Sequence, residues 1–356
     1  MSLDPRADLP DLLQQLMDLE SVSGAEGPLA DEVERVLRGC GHLEVLRDGD
    51  TVVARTQLGR DERVVVAGHL DTVPVAGNLP SQRREVDGVD AVWGRGACDM
   101  KGGVAVQLAL AVELAEPTRD VTWVFYDNEE VEAERNGLGR VARTHPEWLE
   151  GSFAVLGEPS NARVEGGCQG TLRVEITLTG TAAHSARAWM GHNAAHDAAE
   201  VLQRLRDYQP RQVEVEGLRY HEGLNAVRIS GGIAGNVIPD RCVVEVNFRF
   251  APDRTEAEAV DFVTDFFAPL PVEVTDLSPG ARPGLDRPAA AQFLAAVGGE
   301  PQAKFGWTDV ARFSALGVPA VNFGPGNPSK AHADDEFCPV ADLRTCADAL
   351  RRWLTS

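Results

Sequence analysis

The chain has 356 residues, 43% of them hydrophobic and 25% charged, enough for two domains that each bury a core. A formal net charge of −21 argues against nucleic acid and anionic membrane surfaces as partners, because both demand a basic face. No run of 18 apolar residues is present, the acidic start "MSLDPRADLPDLLQQLMDLE" lacks the basic and apolar parts of a signal peptide, and six cysteines lie scattered without a C-x-x-C pair. A cytoplasmic protein with reduced thiols is expected.

Apolar positions recur at helical spacing over residues 9–20 and in "GPLADEVERVLRGC". Strand-like "LEVLRDGDTVVART" and "RVVVAGH" follow, then a long helix through "KGGVAVQLALAVELAE". Strand "DVTWVFYD", helix-like "GLGRVARTHPEWL" and strand "FAVLGE" complete an alternating series. Alternation of this kind predicts a mostly parallel sheet covered on both faces. The style changes near residue 171. "TLRVEITLTG", the helix "HNAAHDAAEVLQRLRDY", the pair "NAVRISGGIA" and "RCVVEVNFRF", the helix "TEAEAVDFVTDFFA" and strand "VEVTDL" give the order of a ferredoxin-like α+β module. After Pro279 the first style resumes with "QFLAAVGG", "QAKFG", "DVARFSALG", "AVNFG" and a last helix "VADLRTCADALRRWL". The expected architecture is therefore an α/β catalytic domain over residues 1–170 and 280–356, interrupted by a lid and dimerisation domain over 171–279.

Ligands of open α/β sheets gather outside the carboxyl ends of the strands. At that end the chain carries His69 and Asp71 in "GHLDTVP", Asp99 in "GRGACDMKGG", Glu129 and Glu130 in "YDNEE", Glu158 in "LGEPS" and His332 in "GPGNPSKAHADDE". Each has an ordinary structural explanation taken singly: Asp99 can cap a helix, paired glutamates are usually solvated, and a glutamate before proline suits a turn. Their coincidence at one edge is harder to explain, since two histidines and several acids would repel strongly without a cation. Oxygen and imidazole donors without thiolate suit a catalytic zinc, manganese or cobalt site. Five ligands suit two ions about 3.5 Å apart that share one carboxylate.

These motifs, followed by "AHSA", "GNVIP" and the late "AH", resemble the aminoacylase/carboxypeptidase family of two-zinc amidohydrolases over essentially the whole chain. The extended "HLDTVPVAGNLPS", "VFYDNEEVEAERNGLGR", "GCQGTLR", "AHSARAW" and "VNFRFAPDR" are most similar to its actinobacterial desuccinylase branch. The resemblance implies two zinc or cobalt ions per subunit, with Asp99 bridging them. His69 and Glu158 would complete one shell, and Glu130 and His332 the other. Asp71 would accept the hydrogen bond of the His69 ring, and Glu129 would be the general base. His184 would stabilise the oxyanion, reaching into the other subunit's site across a homodimer. Asn236, Arg249 and Thr308 match substrate-binding positions.

The resemblance further implies a small N-acyl amino acid as substrate, a succinylated one in the leading reading. An acetylornithine deacetylase, another N-acyl-amino-acid hydrolase or a dipeptidase is the alternative. Two positions depart from the family pattern. Asn128 stands where an aspartate is more usual, and Cys168 stands where proteobacterial desuccinylases carry a substrate-binding arginine. Arg187 is the residue expected to restore the missing charge.

Overall fold

The computed structural model describes residues 2–356, which form two compact units. The first comprises the chain through Gly166 together with Pro283–Gln302 and Asp309–Ser356; the second comprises Gly167–Arg282 and Ala303–Thr308. Residues 167–170, 280–282 and 303–308, expected in the catalytic part, thus group with the second unit. "QAKFG" accordingly yields only the two-residue strand Gln302–Ala303.

The first unit is built on an eight-stranded sheet. Its centre runs Asp120–Tyr126, Arg63–His69, Phe153–Leu156, Ala320–Asn322, all parallel. Asp120–Tyr126 is buried at every position and Arg63–His69 at all but the first, the burial of strands covered on both faces. Helix Lys101–Glu113 is apolar all round and packs against Leu9–Asp18, Val340–Thr355 and strand Arg63–His69. Phe153, Phe293 and Trp353 meet with ring centroids 4.9–6.0 Å apart, tying chain segments on either side of the insertion into one core. Aromatic pairs of this kind are worth about 0.5–1.5 kcal/mol each beyond their buried area.

The single strand expected over 43–56 is a hairpin, Glu44–Asp48 with Thr51–Arg55, turning at Gly49 with φ 59°. A further hairpin, Gln82–Val86 with Val89–Trp93, turns on Asp87 and Gly88, both at positive φ. That Asp-Gly pair is a recognised turn signal the sequence reading passed over.

The second unit has a four-stranded antiparallel sheet ordered Gly223–Gly231, Arg241–Phe250, Gly170–Thr179, Glu273–Ser278. Helices Ala194–Asp207 and Glu256–Phe267 pack on it through Leu172, Val174, Ile176, Val244, Val246 and Phe248. This is the ferredoxin-like order, with an unforeseen hairpin, Gln212–Val215 and Leu218–His221, placed after the first helix. Among the described residues no helix is long and apolar enough to cross a membrane, and all six cysteines are free.

Candidate metal centre

Adjacent parallel strands deliver the first donors. His69 ends its strand opposite Tyr126; Glu129 and Glu130 follow the neighbouring strand on one side, and Glu158 follows Phe153–Leu156 on the other. Asp99 enters from the loop before helix Lys101–Glu113. That helix approaches the Glu158 turn closely because residue 103 is glycine: a Cβ there would lie 2.2 Å from the Gly157 carbonyl oxygen. Met100, not Asp99, occupies the N-cap of this helix. The Asp99 carboxylate instead places Oδ1 3.2 Å from His69 Nε2 and Oδ2 3.3 Å from His332 Nε2. His332 Nε2 also lies 2.9 Å from Glu130 Oε1, and His69 Nε2 lies 4.0 Å from Glu158 Oε1.

Three overlapping groups bring their donor atoms within 4.8 Å of one another: His69, Asp99 and Glu158; Asp99, Glu130 and His332; His69, Glu129 and Glu130. Nitrogen and oxygen donors without thiolate fit a zinc, manganese or cobalt centre, and Asp99 belongs to two of the groups.

The electrostatics reflect this crowding. Burial alone would raise the Asp99 carboxyl, but hydrogen bonds from His332 and His69 outweigh it and hold the group below its usual range. Hydrogen bonds to Asp99 and then Glu130 raise His332 to about 10. Burial opposes charge on His69, yet Asp71 and Asp99 raise it well above the ordinary histidine value. Glu129 is pushed well above the usual carboxylate range by burial; His69 pulls it down, while Glu158, Asp309 and Glu130 push it further up.

Asp71 holds more than the His69 ring. The His69 Nδ1 is 3.0 Å from the Asp71 backbone carbonyl oxygen and 3.4 Å from its carboxylate. That carboxylate accepts the backbone N–H of Glu129 at 2.9 Å, the backbone N–H of Glu130 at 3.0 Å, and the Ser23 hydroxyl at 2.7 Å. Asn128 opens the same turn at φ 56°, a left-handed conformation that asparagine tolerates, and its amide donates to Asp127.

Glu336 escaped the sequence reading. It is buried, and Oε1 accepts the backbone N–H groups of Cys98 and Asp99 at 3.0 and 3.1 Å. Oε2 accepts from Gly96 N and the Arg95 guanidinium, both at 3.0 Å. One carboxylate therefore moors the Asp99 loop to the segment that carries His332. The available signal was an acid at the mouth of the buried stretch "FCPV". Glu336→Gln removes the partner of the buried Arg95, and breaking such a pair costs about 3–5 kcal/mol. Metal affinity is expected to fall about 10–100-fold, as when other outer partners of ligands are lost. Thermal melts and chelator competition read the two effects separately; a lowered melt with unchanged metal affinity would restrict Glu336 to folding.

The remaining candidates lie in the second unit. His184 caps the short helix Ser185–Met190, its Nδ1 accepting from Ala186 N, and its segment bridges Val237. Ser185 N donates to the Asn236 carbonyl oxygen, so "AHSA" and "GNVIP" are neighbours. Thr308 is buried, and its carbonyl accepts from the Cys168 thiol at 3.8 Å. Arg249 lies on the sheet face away from the helices, while Arg187 is exposed in the short helix.

Residues 65–356 match the model for peptidase family M20/M25/M40, and the chain belongs to that family. It is a hydrolase. A Mycobacterium tuberculosis protein provisionally named succinyl-diaminopimelate desuccinylase is 53% identical over 355 residues, 99% of either chain. The succinyl-diaminopimelate desuccinylase of Corynebacterium glutamicum is 44% identical over 364 residues, 99% of this chain and 98% of that one. The fold is shared with aminopeptidase PepT from Bacillus cereus, with a TM-score of 0.79 at 18% identity over 99% of this chain and 98% of that one.

Proposed function

We propose that the protein hydrolyses N-succinyl-LL-2,6-diaminopimelate to succinate and LL-2,6-diaminopimelate, a step towards lysine, in the cytoplasm. The observation that carries the hydrolytic site is Asp99, whose two oxygens each face a different histidine with Glu129 in the same cluster. His69, Asp99 and Glu158 would hold one zinc or cobalt ion, and Asp99, Glu130 and His332 the other. When bound, the ions would polarise the scissile carbonyl and acidify the attacking water. Glu129 takes the proton of that water and later returns it to the leaving amine. Asp71 fixes the turn from which Glu129 acts. The succinyl group follows from the two desuccinylase relatives. Metal-loaded protein should turn over N-succinyl-LL-diaminopimelate far faster than N-acetylornithine; the opposite preference would reject this substrate.

His184 would donate to the developing oxyanion, with Asn236, Arg249 and Thr308 holding substrate. A homodimer is favoured by the edge strand Gly223–Gly231, which exposes Val227 and Ile229, and by exposed Trp189, Met190 and Ile233 in the same unit. In such a dimer each site would use His184 of the partner subunit. Mixing inactive His184→Ala and Glu129→Gln subunits should then restore activity, because a heterodimer regains one complete site. A mixture as inactive as its parents, with subunit exchange verified, would place His184 within its own chain's site.

A further inference from the structure

The open face of the second unit's sheet brings two arginines together at one end of adjacent strands. Strand alternation buries Leu172, Val174, Val246 and Phe248 under the helices and leaves Thr171, Arg173, Asn247 and Arg249 on the other side. The register sets Arg173 opposite Asn247 and Arg249 opposite Thr171, so the two arginines are diagonal neighbours on adjacent strands. Long side chains reach one another at that spacing.

Among the described residues Arg173 forms two long ion pairs without hydrogen bonds, and Arg249 forms none. Arg173 stands 3.6 Å from Glu245 and 3.8 Å from Asp276, too far for hydrogen bonds. Glu245 is taken at 3.1 Å by Arg228. Arg249 has no carboxylate within 4.0 Å among the described residues. Burial, and next the charge of Arg173, pull Arg249 below the ordinary arginine value. Arg173 and Arg249 border a cavity of about 370 Å³ that Val227, Arg228, Asn247 and one acid, Glu245, also line, so three guanidiniums face a single carboxylate there. Two adjacent guanidiniums with unspent N–H forks match a carboxylate, which can accept two such bonds.

We propose that Arg173 and Arg249 form a clamp for a substrate carboxylate, with Arg173 supplying the positive charge expected at residue 168. This rests on the desuccinylase reading above. Cys168 is a buried thiol bonded to the Thr308 carbonyl, and Arg187, the residue first expected to compensate, does not line this cavity. Arg173 follows Cys168 by five residues, at the edge of the cavity where Arg249 already stands. The substrate offers two kinds of carboxylate, the end of the succinyl group and those of the amino acid.

The test uses metal-loaded enzyme with N-succinyl-LL-diaminopimelate, N-acetyl-LL-diaminopimelate, and succinate as product inhibitor. Arg173→Ala should raise KM for the succinylated substrate ~10-fold or more, with kcat and metal content little changed. The inhibition constant of succinate should rise in parallel, while KM for the acetylated substrate stays put. Arg173→Lys, which keeps charge but loses the fork, should recover part of the affinity. Equal KM losses on both substrates, with succinate inhibition unmoved, support a clamp on the amino-acid carboxylate. If Arg249→Ala weakens binding and Arg173→Ala changes none of these constants, the clamp is overturned. Preference of the parent enzyme for the acetylated compound would reject the desuccinylase reading instead, and KM for that compound would still report on the clamp. Arg173 is half exposed, so melting temperatures near the parent value should confirm that both variants fold.

Discussion

Glu129→Gln should lose roughly 10²–10⁴-fold in kcat while binding metal as the parent does. The glutamine keeps the shape of the side chain and cannot accept the proton. Its backbone N–H still reaches Asp71, so the turn and the neighbouring Glu130 should remain in place. KM should change little, because the proton transfer belongs to the transition state rather than to binding. Metal analysis together with steady-state kinetics checks both halves. A variant that lost its metal yet kept its turnover would exchange the roles assigned to Glu129 and Glu130.

Asp99→Ala should be the most damaging change to the centre. It removes the oxygen facing His69 and the oxygen facing His332 together, so both ions should be lost and activity should fall below detection. Equilibrium dialysis against zinc reads the stoichiometry. Retention of one ion at parental affinity would be incompatible with a bridging carboxylate. Asp71→Ala provides the contrast. The backbone carbonyl that holds the His69 ring survives this substitution, whereas the anchor of the Glu129–Glu130 turn does not. The loss should therefore fall on kcat and on the ion held through Glu130, leaving the His69 position least affected.

Much of this centre was legible in the sequence, because His69, Glu129, Glu130 and Glu158 directly follow apolar strands whose order and parallel pairing place their ends side by side. Asp99 was legible as a candidate, but only the geometry separates it from a helix cap, since Met100 holds that position. For His69 the geometry adds an acceptor to the expected one, with Nδ1 3.4 Å from the Asp71 carboxylate and 3.0 Å from its carbonyl. Spacing of i, i+2 predicts a shared side-chain face and says nothing about the backbone carbonyl of Asp71 itself, which is the nearer acceptor. Glu336 was hidden because its partners lie 237–241 residues away in the chain. Nothing in the local sequence marks Arg173, and only the strand register sets it beside Arg249. The two overlooked hairpins have strands of only four or five residues, and their Asp-Gly and Glu-Gly turns are the strongest local signals.

Asp71 has a dynamic consequence that distances alone do not express. The carbonyl of this one residue steadies His69, and its carboxylate steadies the backbone of Glu129 and Glu130. A displacement of Asp71 should therefore carry His69 and Glu129 together. Their separation should fluctuate less than either position does against the rest of the sheet, as two instruments bolted to one plate stay aligned while the plate vibrates. A misplacement of 1 Å can cost about 10²-fold in rate, so a shared anchor of this kind should protect the alignment of the two groups better than two separate anchors would.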